Sequence, residues 1–275
     1  MISHPVVSSH ILWVRSGRFS TVARRFLSTR RRRQQVIVVR HGETAWNKEL
    51  RVQGSTDIPL NAKGLAQAEA VAEALSNDIT RKTAVTFSSP LARAKDTATL
   101  LASSVSTNEA LREWNLGVLE GLEKHQAMQE YPDDWKIFSQ WANPHATLPL
   151  ADITLTNGES MEQVRWRVVN FINRIVVQQQ AAADDTDAPV IVCVTHGGVL
   201  GQLLRHVVAQ AQDEHQQHYA RPGNACISRF ALEILQEEDE NESPPTIQWS
   251  IESWADTAHL QGELAPVSAD YDDAK

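Results

Sequence analysis

Two apolar runs dominate the hydrophobic pattern of the chain, and each ends at a histidine. Residues 36–41 read Val-Ile-Val-Val-Arg-His, and residues 190–196 read Val-Ile-Val-Cys-Val-Thr-His. Short uninterrupted apolar runs with polar flanks are typical of strands buried on both faces of a sheet. The pattern therefore predicts two central strands that each present a histidine at the carboxyl end, the edge where open α/β sheets bind their ligands.

Segments with strand and helix patterns alternate along the rest of the chain. Ser160 and Gln163 fit a capping box, and apolar residues at helical spacing follow them. Ser89 before Pro90 is typical of a helix start, with serine as the N-cap and proline at the first helical position. The alternation predicts an α/β fold, a three-layer α/β/α sandwich around a mostly parallel sheet. Besides the two apolar runs, the predicted strands are 84–87, 225–235 and 246–254, and the predicted helices are 62–75, 90–101, one within 123–142, 161–175 and 199–210.

The first 34 residues differ in composition from the rest of the chain. They contain eight arginines, several serines and no acidic residue. This composition is typical of a transit peptide and favours a mitochondrial location, with the cytoplasm or a plastid as alternatives. A disordered basic tail or a misassigned start codon would give the same pattern. We therefore expect a leader at 1–34, a folded domain at 35–260 and a flexible acidic tail at 261–275.

The remainder of the chain is strongly acidic. Of the 26 Lys and Arg, eight lie in the leader, which leaves 18 against 34 Asp and Glu, a formal charge of about −16. Such a body does not attract nucleic acid or an anionic membrane, and no apolar run is long enough to span a bilayer. An anionic small molecule would have to be held by a local cluster of positive groups. Two cysteines in 275 residues argue against a disulfide scaffold.

Four segments place a group suited to phosphate at a strand end or near a helix start. Arg40-His41 joins a guanidinium to an imidazole, and this pair suits phosphoryl transfer because the imidazole attacks phosphorus while the guanidinium holds the oxygens. Arg93 falls in the first turn of the helix predicted at 90, where free amides and the helix dipole favour anions. Glu113 and His196 add a carboxyl group and a second imidazole. Taken alone, Arg93 could be a surface residue and His196 a hydrogen-bonded core histidine.

Several short motifs surround these candidates. Those that carry a resemblance are Arg40-His41-Gly42-Glu43-Thr44 with Asn47, Arg51-Val52-Gln53-Gly54, Ser89-Pro90-Leu91 with Arg93, Leu111 with Glu113, Leu116-Gly117-Val118-Leu119-Glu120-Gly121, Gly158-Glu159-Ser160, Thr195-His196-Gly197-Gly198 and Asn224-Ala225-Cys226-Ile227-Ser228. Together they resemble the histidine phosphatase superfamily, whose members are also called phosphoglycerate-mutase-like proteins. The resemblance spans about residues 35–260 and is strongest to the bacterial and plant phosphoglycerate-mutase-like branch.

The resemblance implies a mechanism and a set of site residues. His41 would be the nucleophile and form a phosphohistidine, with its tautomer fixed by a backbone carbonyl near the following turn. Glu113 would act as general acid and then as general base. The residues implied for binding phosphate and substrate are Arg40, Asn47, Gln53, Gly54, Arg93, His196 and Gly197. No metal and no other cofactor is expected, because the arginines and histidine carry the charge of the site.

The motifs alone do not determine whether water or a second hydroxyl group accepts the phosphoryl group. Residues 53–57 read Gln-Gly-Ser-Thr-Asp, without the tryptophan that usually follows this glycine in glycolytic mutases, and no basic cluster follows Glu113. These differences favour a phosphomonoesterase acting on a small phosphorylated metabolite over a phosphoglycerate mutase. A mitochondrial regulatory protein that uses the fold to bind a partner is an alternative from another class. The oligomeric state stays open, with a homodimer as one arrangement.

Overall fold

The computed structural model describes six stretches of the chain, listed here by number: 32–81, 84–140, 153–183, 188–211, 219–235 and 245–266. The chain divides into residues 1–30 and residues 31–275, and all described residues belong to the second unit. Residues 1–31 of the expected leader and residues 267–275 of the expected tail lie outside the described residues. None of the helices in the described stretches is long and apolar enough to cross a membrane.

Within the described stretches, six strands form one mixed sheet. The strands are β1 (Arg32–Arg40), β2 (Ala84–Ser88), β3 (Ser106–Thr107), β4 (Val190–Thr195), β5 (Ile227–Leu235) and β6 (Thr246–Asp256). Their order is β3-β2-β4-β1-β5-β6. The first four positions of that order pair in parallel, whereas β5 and β6 pair antiparallel at one side. The predicted mostly parallel sheet is therefore confirmed, with an antiparallel pair completing it.

Helices cover both faces of this sheet. They are α1 (Ala45–Lys48), α2 (Ala62–Arg81), α3 (Ala92–Leu101), α4 (Lys124–Glu130), α5 (Pro132–Ser139), α6 (Met161–Ala182) and α7 (Gly197–Ala211), with short 3₁₀ turns at Glu109–Leu111, Gly117–Leu119 and Gly262–Leu264. Alternate residues of the central strands belong to two separate cores: Val36 and Val38 pack with α6 and α7, and Ile37 and Val39 with α2 and α3. This division is the expected consequence of the two-residue repeat of a strand, and it confirms the three-layer α/β/α sandwich.

The register of the central strands determines where the two histidines meet. Arg40 of β1 lies opposite Thr195 of β4, and the amide of His41 donates to the carbonyl of Thr195 at 3.0 Å. The next residue of each strand is therefore a histidine at the same edge of the sheet.

The helix of residues 161–175 is confirmed, and its capping box between Ser160 and Gln163 is present.

The limits of the folded domain differ from the expected 35–260. Strand β1 starts at Arg32, so residues 32–34 of the expected leader pair with β5. At the other end, residues 261–266 of the expected tail pack on α2. The carbonyl of Leu264 accepts from Gln67 at 2.9 Å, and the carbonyl of Ala265 accepts from Lys63 at 2.8 Å. Composition alone missed both because hydrogen bonds to distant parts of the chain, and not residue type, set these limits.

Candidate active site

His41 and His196 lie side by side at the carboxyl edge of the sheet. Their ring centroids are 5.0 Å apart, and both side chains are buried. Burial is the main cause that lowers the pKa of each imidazole well below the usual value, with the charge of Arg93 acting in the same direction. Both rings are therefore neutral in the folded protein at physiological pH, as a nitrogen nucleophile requires.

The backbone of Gly42 determines which ring nitrogen of His41 is free. Nδ1 of His41 lies 2.7 Å from the Gly42 carbonyl, so Nδ1 carries the proton and donates it. Nε2 keeps its lone pair and faces the rest of the site. Gly42 also permits a close approach, because a Cβ at this position would lie 2.2 Å from the Gly64 carbonyl oxygen. The expected carbonyl that fixes the tautomer is thus that of the next residue.

Arg93 contacts the free nitrogen of His41. Its Nε lies 3.3 Å from His41 Nε2, and its two terminal nitrogens donate to the carbonyls of Gly54 and Thr56 at 2.8 Å each. The side chain is fully buried, and burial lowers its pKa to about 10. A guanidinium still carries its charge at neutral pH with that pKa. Arg93 therefore presents one N–H edge to the site, while the rest of its fork is held by backbone oxygens.

Glu120 holds the loop that binds Arg93. Its Oε1 accepts from the amide and the hydroxyl of Ser55 at 2.7 and 2.8 Å, and its Oε2 accepts from the Thr56 hydroxyl at 2.5 Å. The Gly54 carbonyl is thereby fixed at the Arg93 guanidinium. Gln53, 8% exposed, points its Oε1 to the Thr44 hydroxyl at 2.6 Å. Gln53 and Gly54 thus support the loop and the arginine, and sequence reasoning missed Glu120 although it lies in a quoted motif.

Arg40 lies against the start of α7. Its Nη1 donates to the Pro222 carbonyl at 2.5 Å, and a Cβ on Gly197 would lie 3.3 Å from its Cζ. The Nε of Arg40 is buried without a hydrogen-bond partner. A buried cationic N–H that lacks a partner is costly unless a ligand accepts from it. An oxyanion beside His41 is such an acceptor.

His196 also retains an unused ring nitrogen. Its Nε2 lies 2.8 Å from the Ser89 hydroxyl, whereas its Nδ1 is buried without a partner. Ser89 is not the N-cap predicted above: α3 begins at Ala92, two residues later than expected, and Leu91 is the residue before its first turn. Ser89 holds His196 instead, and its hydroxyl also accepts from the Leu91 amide at 3.3 Å.

Glu113 approaches the same edge from the loop after β3. One carboxylate oxygen accepts from the amide of Trp114 at 2.8 Å and the other from the amide of Gly198 at 3.1 Å. A Cβ on Gly198 would lie 2.5 Å from the Glu113 carboxylate, so any larger residue at this position would displace the carboxylate. The carboxyl group predicted as acid and base therefore lies at the first turn of α7, next to His196.

Two asparagines complete the site. Oδ1 of Asn47 accepts from the Thr44 amide at 3.2 Å and from Asn224 Nδ2 at 3.1 Å, which leaves the Asn47 Nδ2 group for a ligand. Asn224 Nδ2 also lies 3.3 Å from the carbonyls of both His41 and Gly42. Sequence reasoning did not assign a role to Asn224, although it begins one of the quoted motifs.

The assembled groups suit transfer of a phosphoryl group. The uncharged Nε2 of His41 faces the Arg93 guanidinium. The buried Arg40 Nε and His196 Nδ1 have no protein partner, and the Glu113 carboxyl group lies at the start of α7. Donors fixed before the ligand arrives stabilise the charge that develops on phosphoryl oxygens. Within the described residues, no group of three or more His, Cys, Asp or Glu side chains is arranged to hold a metal ion. The fold and the site thus define a phosphoryl-transfer protein of the α/β class.

Comparison with known proteins agrees with this class. The sequence model of the Histidine phosphatase superfamily (branch 1) matches residues 36–257. Among curated relatives, phosphoglycerate mutase-like protein 4 of Arabidopsis thaliana is 31% identical over 236 residues, 82% of this chain and 87% of the relative. The metal-independent phosphoserine phosphatase of the same plant is 28% identical over 232 residues, 82% of this chain and 83% of the relative.

Solved structures show the same relationship. The native structure of mycobacterial glucosyl-3-phosphoglycerate phosphatase superposes with a TM-score of 0.62 at 26% identity, over 82% of this chain and 100% of that protein. The chain belongs to the histidine phosphatase superfamily. It is an enzyme of the phosphatase or mutase type that this superfamily contains.

Proposed function

We propose that the enzyme is a phosphomonoesterase that hydrolyses a small phosphorylated metabolite through a phosphohistidine on His41. The observation that carries the proposal is the geometry of His41. Its Nδ1 is committed to the Gly42 carbonyl, and its Nε2 faces the Nε of Arg93 at 3.3 Å. A neutral nucleophile beside a fixed cationic donor suits attack on a phosphate ester, because the imidazole bonds to phosphorus while the donor binds the phosphoryl oxygens.

The remaining groups have distinct tasks in this proposal. Arg40 Nε, Arg93 Nε and His196 Nδ1 donate to the phosphoryl oxygens, and the two that lack protein partners gain acceptors. Asn47 Nδ2 adds a further donor. The start of α7 at Gly197 favours the anion through the helix dipole. The positive groups stabilise the charge of the transition state without help from the acidic surface.

Hydrolysis then proceeds in two displacements. In the first, Nε2 of His41 bonds to phosphorus as the ester P–O bond breaks, and Glu113 gives its proton to the leaving alkoxide. In the second, Glu113 takes a proton from water as the water oxygen bonds to phosphorus and the P–N bond breaks. Phosphate leaves, and both residues return to their starting states.

The relatives support hydrolysis of a small phosphomonoester. One curated relative is named a phosphoserine phosphatase, and a structural relative is a glucosyl-3-phosphoglycerate phosphatase. Phosphoglycerate mutase is the second candidate, because another relative is named phosphoglycerate mutase-like. A protein-binding role without catalysis is disfavoured by the unpartnered donors next to His41, since a purely structural site would satisfy them.

The full chain tests the proposal directly. Phosphate release is measured from p-nitrophenyl phosphate and from a panel of phosphoserine, phosphoglycerates, sugar phosphates and nucleotides. We expect turnover and an acid-labile phosphohistidine in quenched reactions, both lost in His41→Ala. The matched control is His125→Ala, whose side chain is 72% exposed. Absence of both phosphate release and phosphohistidine in the wild type would refute the proposal, and primer-dependent conversion of 3- to 2-phosphoglycerate would favour the mutase.

We further propose that residues 1–34 direct the enzyme to mitochondria. Eight arginines without an acidic residue support this address. A fusion of these residues to a fluorescent protein should colocalise with a mitochondrial marker, and replacement of the eight arginines by glutamine should abolish import. Cytosolic or plastid fluorescence of the unaltered fusion would contradict the proposal.

A further inference from the structure

Arg167 of α6 binds the backbone that carries Glu113. Its Nη1 donates to the carbonyls of Ala110 and Arg112 at 2.8 and 2.7 Å, and its Nη2 donates to the carbonyl of Glu113 at 3.1 Å. One side chain thus ties three carbonyls of a loop to a long helix. Only a guanidinium, with its planar fork of donors, can reach all three carbonyls at once. A lysine ammonium is a compact point charge and cannot do so.

Glu159 holds the other side of this arginine. Its two oxygens accept from Nε and Nη2 of Arg167 at 3.1 Å each, and one of them also accepts from the Asn115 amide at 3.0 Å. The Glu159 carbonyl accepts from the indole N–H of Trp114 at 2.8 Å. The residues that follow Glu113 are therefore held by Glu159, as those that precede it are held by Arg167. Both side chains are shielded, with 17% and 27% of their surfaces exposed.

The placement of Glu113 depends on this support. Its carboxylate oxygens accept from two backbone amides, of Trp114 and Gly198, and no side chain among the described residues is hydrogen-bonded to it. The position of the Glu113 carboxyl group therefore depends on the position of its own backbone and that of its partners. A proton donor must lie within hydrogen-bond reach of the leaving oxygen, and a displacement of about 1 Å can cost ~10²-fold in rate.

We propose that Arg167, oriented by Glu159, is a positioning residue that holds Glu113 against α7 in the place where it protonates the leaving group. This inference deepens the proposed phosphomonoesterase and rests on it. It gives a task to the Gly158-Glu159-Ser160 motif, to which the reaction itself assigns none. The charge of Arg167 also acts, after burial and the charge of Arg93, in the direction that lowers the pKa of His196.

The test compares two leaving groups in the full-length enzyme. An alkoxide leaving group needs a proton donor, whereas p-nitrophenolate is stable enough to depart without one. The ratio of kcat/KM for O-phosphoserine, or for the best alkyl ester of the panel, to kcat/KM for p-nitrophenyl phosphate therefore reports the acid function of Glu113. For Arg167→Lys we expect this ratio to fall by ~10-fold or more, as it does for Glu113→Gln.

A double-mutant cycle separates positioning from general damage. If Arg167 acts through Glu113, Arg167→Lys should change the ratio little once Glu113 is glutamine. Arg165→Lys is the matched control, because this arginine lies on the same helix and pairs with Glu162; its ratio should equal that of the wild type. Glu159→Gln keeps the shape of the Arg167 partner, removes its charge, and should lower the ratio in the same direction.

Two outcomes would overturn the inference. One is an equal loss on both substrates in variants with an unchanged circular dichroism spectrum, which would make Arg167 purely structural. The other is a wild-type ratio in both Arg167→Lys and Glu159→Gln. If Arg167→Lys does not fold, the Glu159→Gln ratio decides. A wild-type enzyme that hydrolyses neither substrate would instead refute the proposed phosphomonoesterase, so the two failures are distinguishable.

Discussion

Nε of Arg93 lies 3.3 Å from Nε2 of His41, so a side chain of the first helix after β2 contacts the nucleophile at the end of β1. The other two nitrogens of that guanidinium are bonded to the carbonyls of Gly54 and Thr56. Arg93 is therefore already held in place before a ligand arrives. A phosphoryl group on His41 would bind to a donor whose side-chain conformation is already fixed. Such a donor stabilises developing charge electrostatically without reorganisation.

Replacing Arg93 by lysine should cost both activity and stability. Lysine cannot reach His41 and both carbonyls together, so kcat should fall by ~10²- to 10³-fold. Loss of donors to two buried carbonyls should lower the free energy of unfolding by about 1–3 kcal/mol. The control is Arg229→Lys on β5, which pairs with Asp78 at 3.0 Å. Steady-state kinetics and urea unfolding measure both effects, and a kcat within twofold of the wild type would contradict the assigned role.

Two glycines with the same backbone conformation should respond differently to alanine. Gly54 and Gly262 have φ values of +55° and +59°, so either substitution costs about 1–2 kcal/mol of backbone strain. A Cβ at Gly54 would also lie 2.3 Å from Glu120 Oε1, while a Cβ at Gly262 meets nothing within 4 Å. We expect Gly54→Ala to displace the loop and reduce kcat at least ~10-fold, and Gly262→Ala to leave kcat unchanged. Equal kcat values for the two variants would exclude a role of the Gly54 carbonyl in holding Arg93.

Asn224 should matter for catalysis although it lies behind the nucleophile. Its Nδ2 group contacts the carbonyls of His41 and Gly42 and the side-chain oxygen of Asn47. Asn224→Ala frees the carbonyl that fixes the His41 tautomer and the amide orientation of Asn47, so kcat/KM should fall by roughly 10- to 100-fold. Asn173→Ala on α6, which removes the acceptor of the Trp249 indole of β6, serves as control and should leave kcat/KM unchanged. An Asn224→Ala enzyme as active as the control would show that Gly42 alone fixes the ring.

His206 should make stability depend on pH in the mildly acidic range. Burial lowers the pKa of His206 from 6.5 to about 4, so between these values the unfolded chain binds a proton that the folded protein does not. Stability from this residue is therefore lost as the pH falls below 6.5. From pH 7 to pH 5 the wild type should lose about 1–2 kcal/mol more than His206→Phe, which keeps an aromatic ring next to Trp249.

Urea unfolding at several pH values measures this difference. Burial also lowers the pKa values of His41 and His196, so these two residues likewise make the protein less stable as the pH falls. Their contribution is the same in the wild type and in the His206→Phe variant. The difference between the two proteins therefore isolates His206. Parallel stability curves would show that His206 is accessible to protons in the folded protein.

The amino-acid sequence by itself was sufficient to predict the central strands and to identify the superfamily. The apolar runs at 36–39 and 190–194 can bury both faces only inside a sheet, and glycines and polar residues end them sharply. The capping box at Ser160 is equally local, since its two partners lie three residues apart. Patterns of this kind can be predicted because the physical cause lies within one turn or one strand.

Only the tertiary structure decided how the site is supported. Glu120 with Ser55, Arg167 with the Glu113 loop and Asn224 with Asn47 are pairs separated by 65, 54 and 177 positions along the chain. Nothing in the local sequence marks such partners, because the contact exists only once the sheet register has brought the loops to one edge. The start of α3 at Ala92 has the same origin, since Ser89 bonds to His196 and does not cap the helix. The local tendency of a serine to cap a helix is overridden when a distant group offers a stronger hydrogen bond.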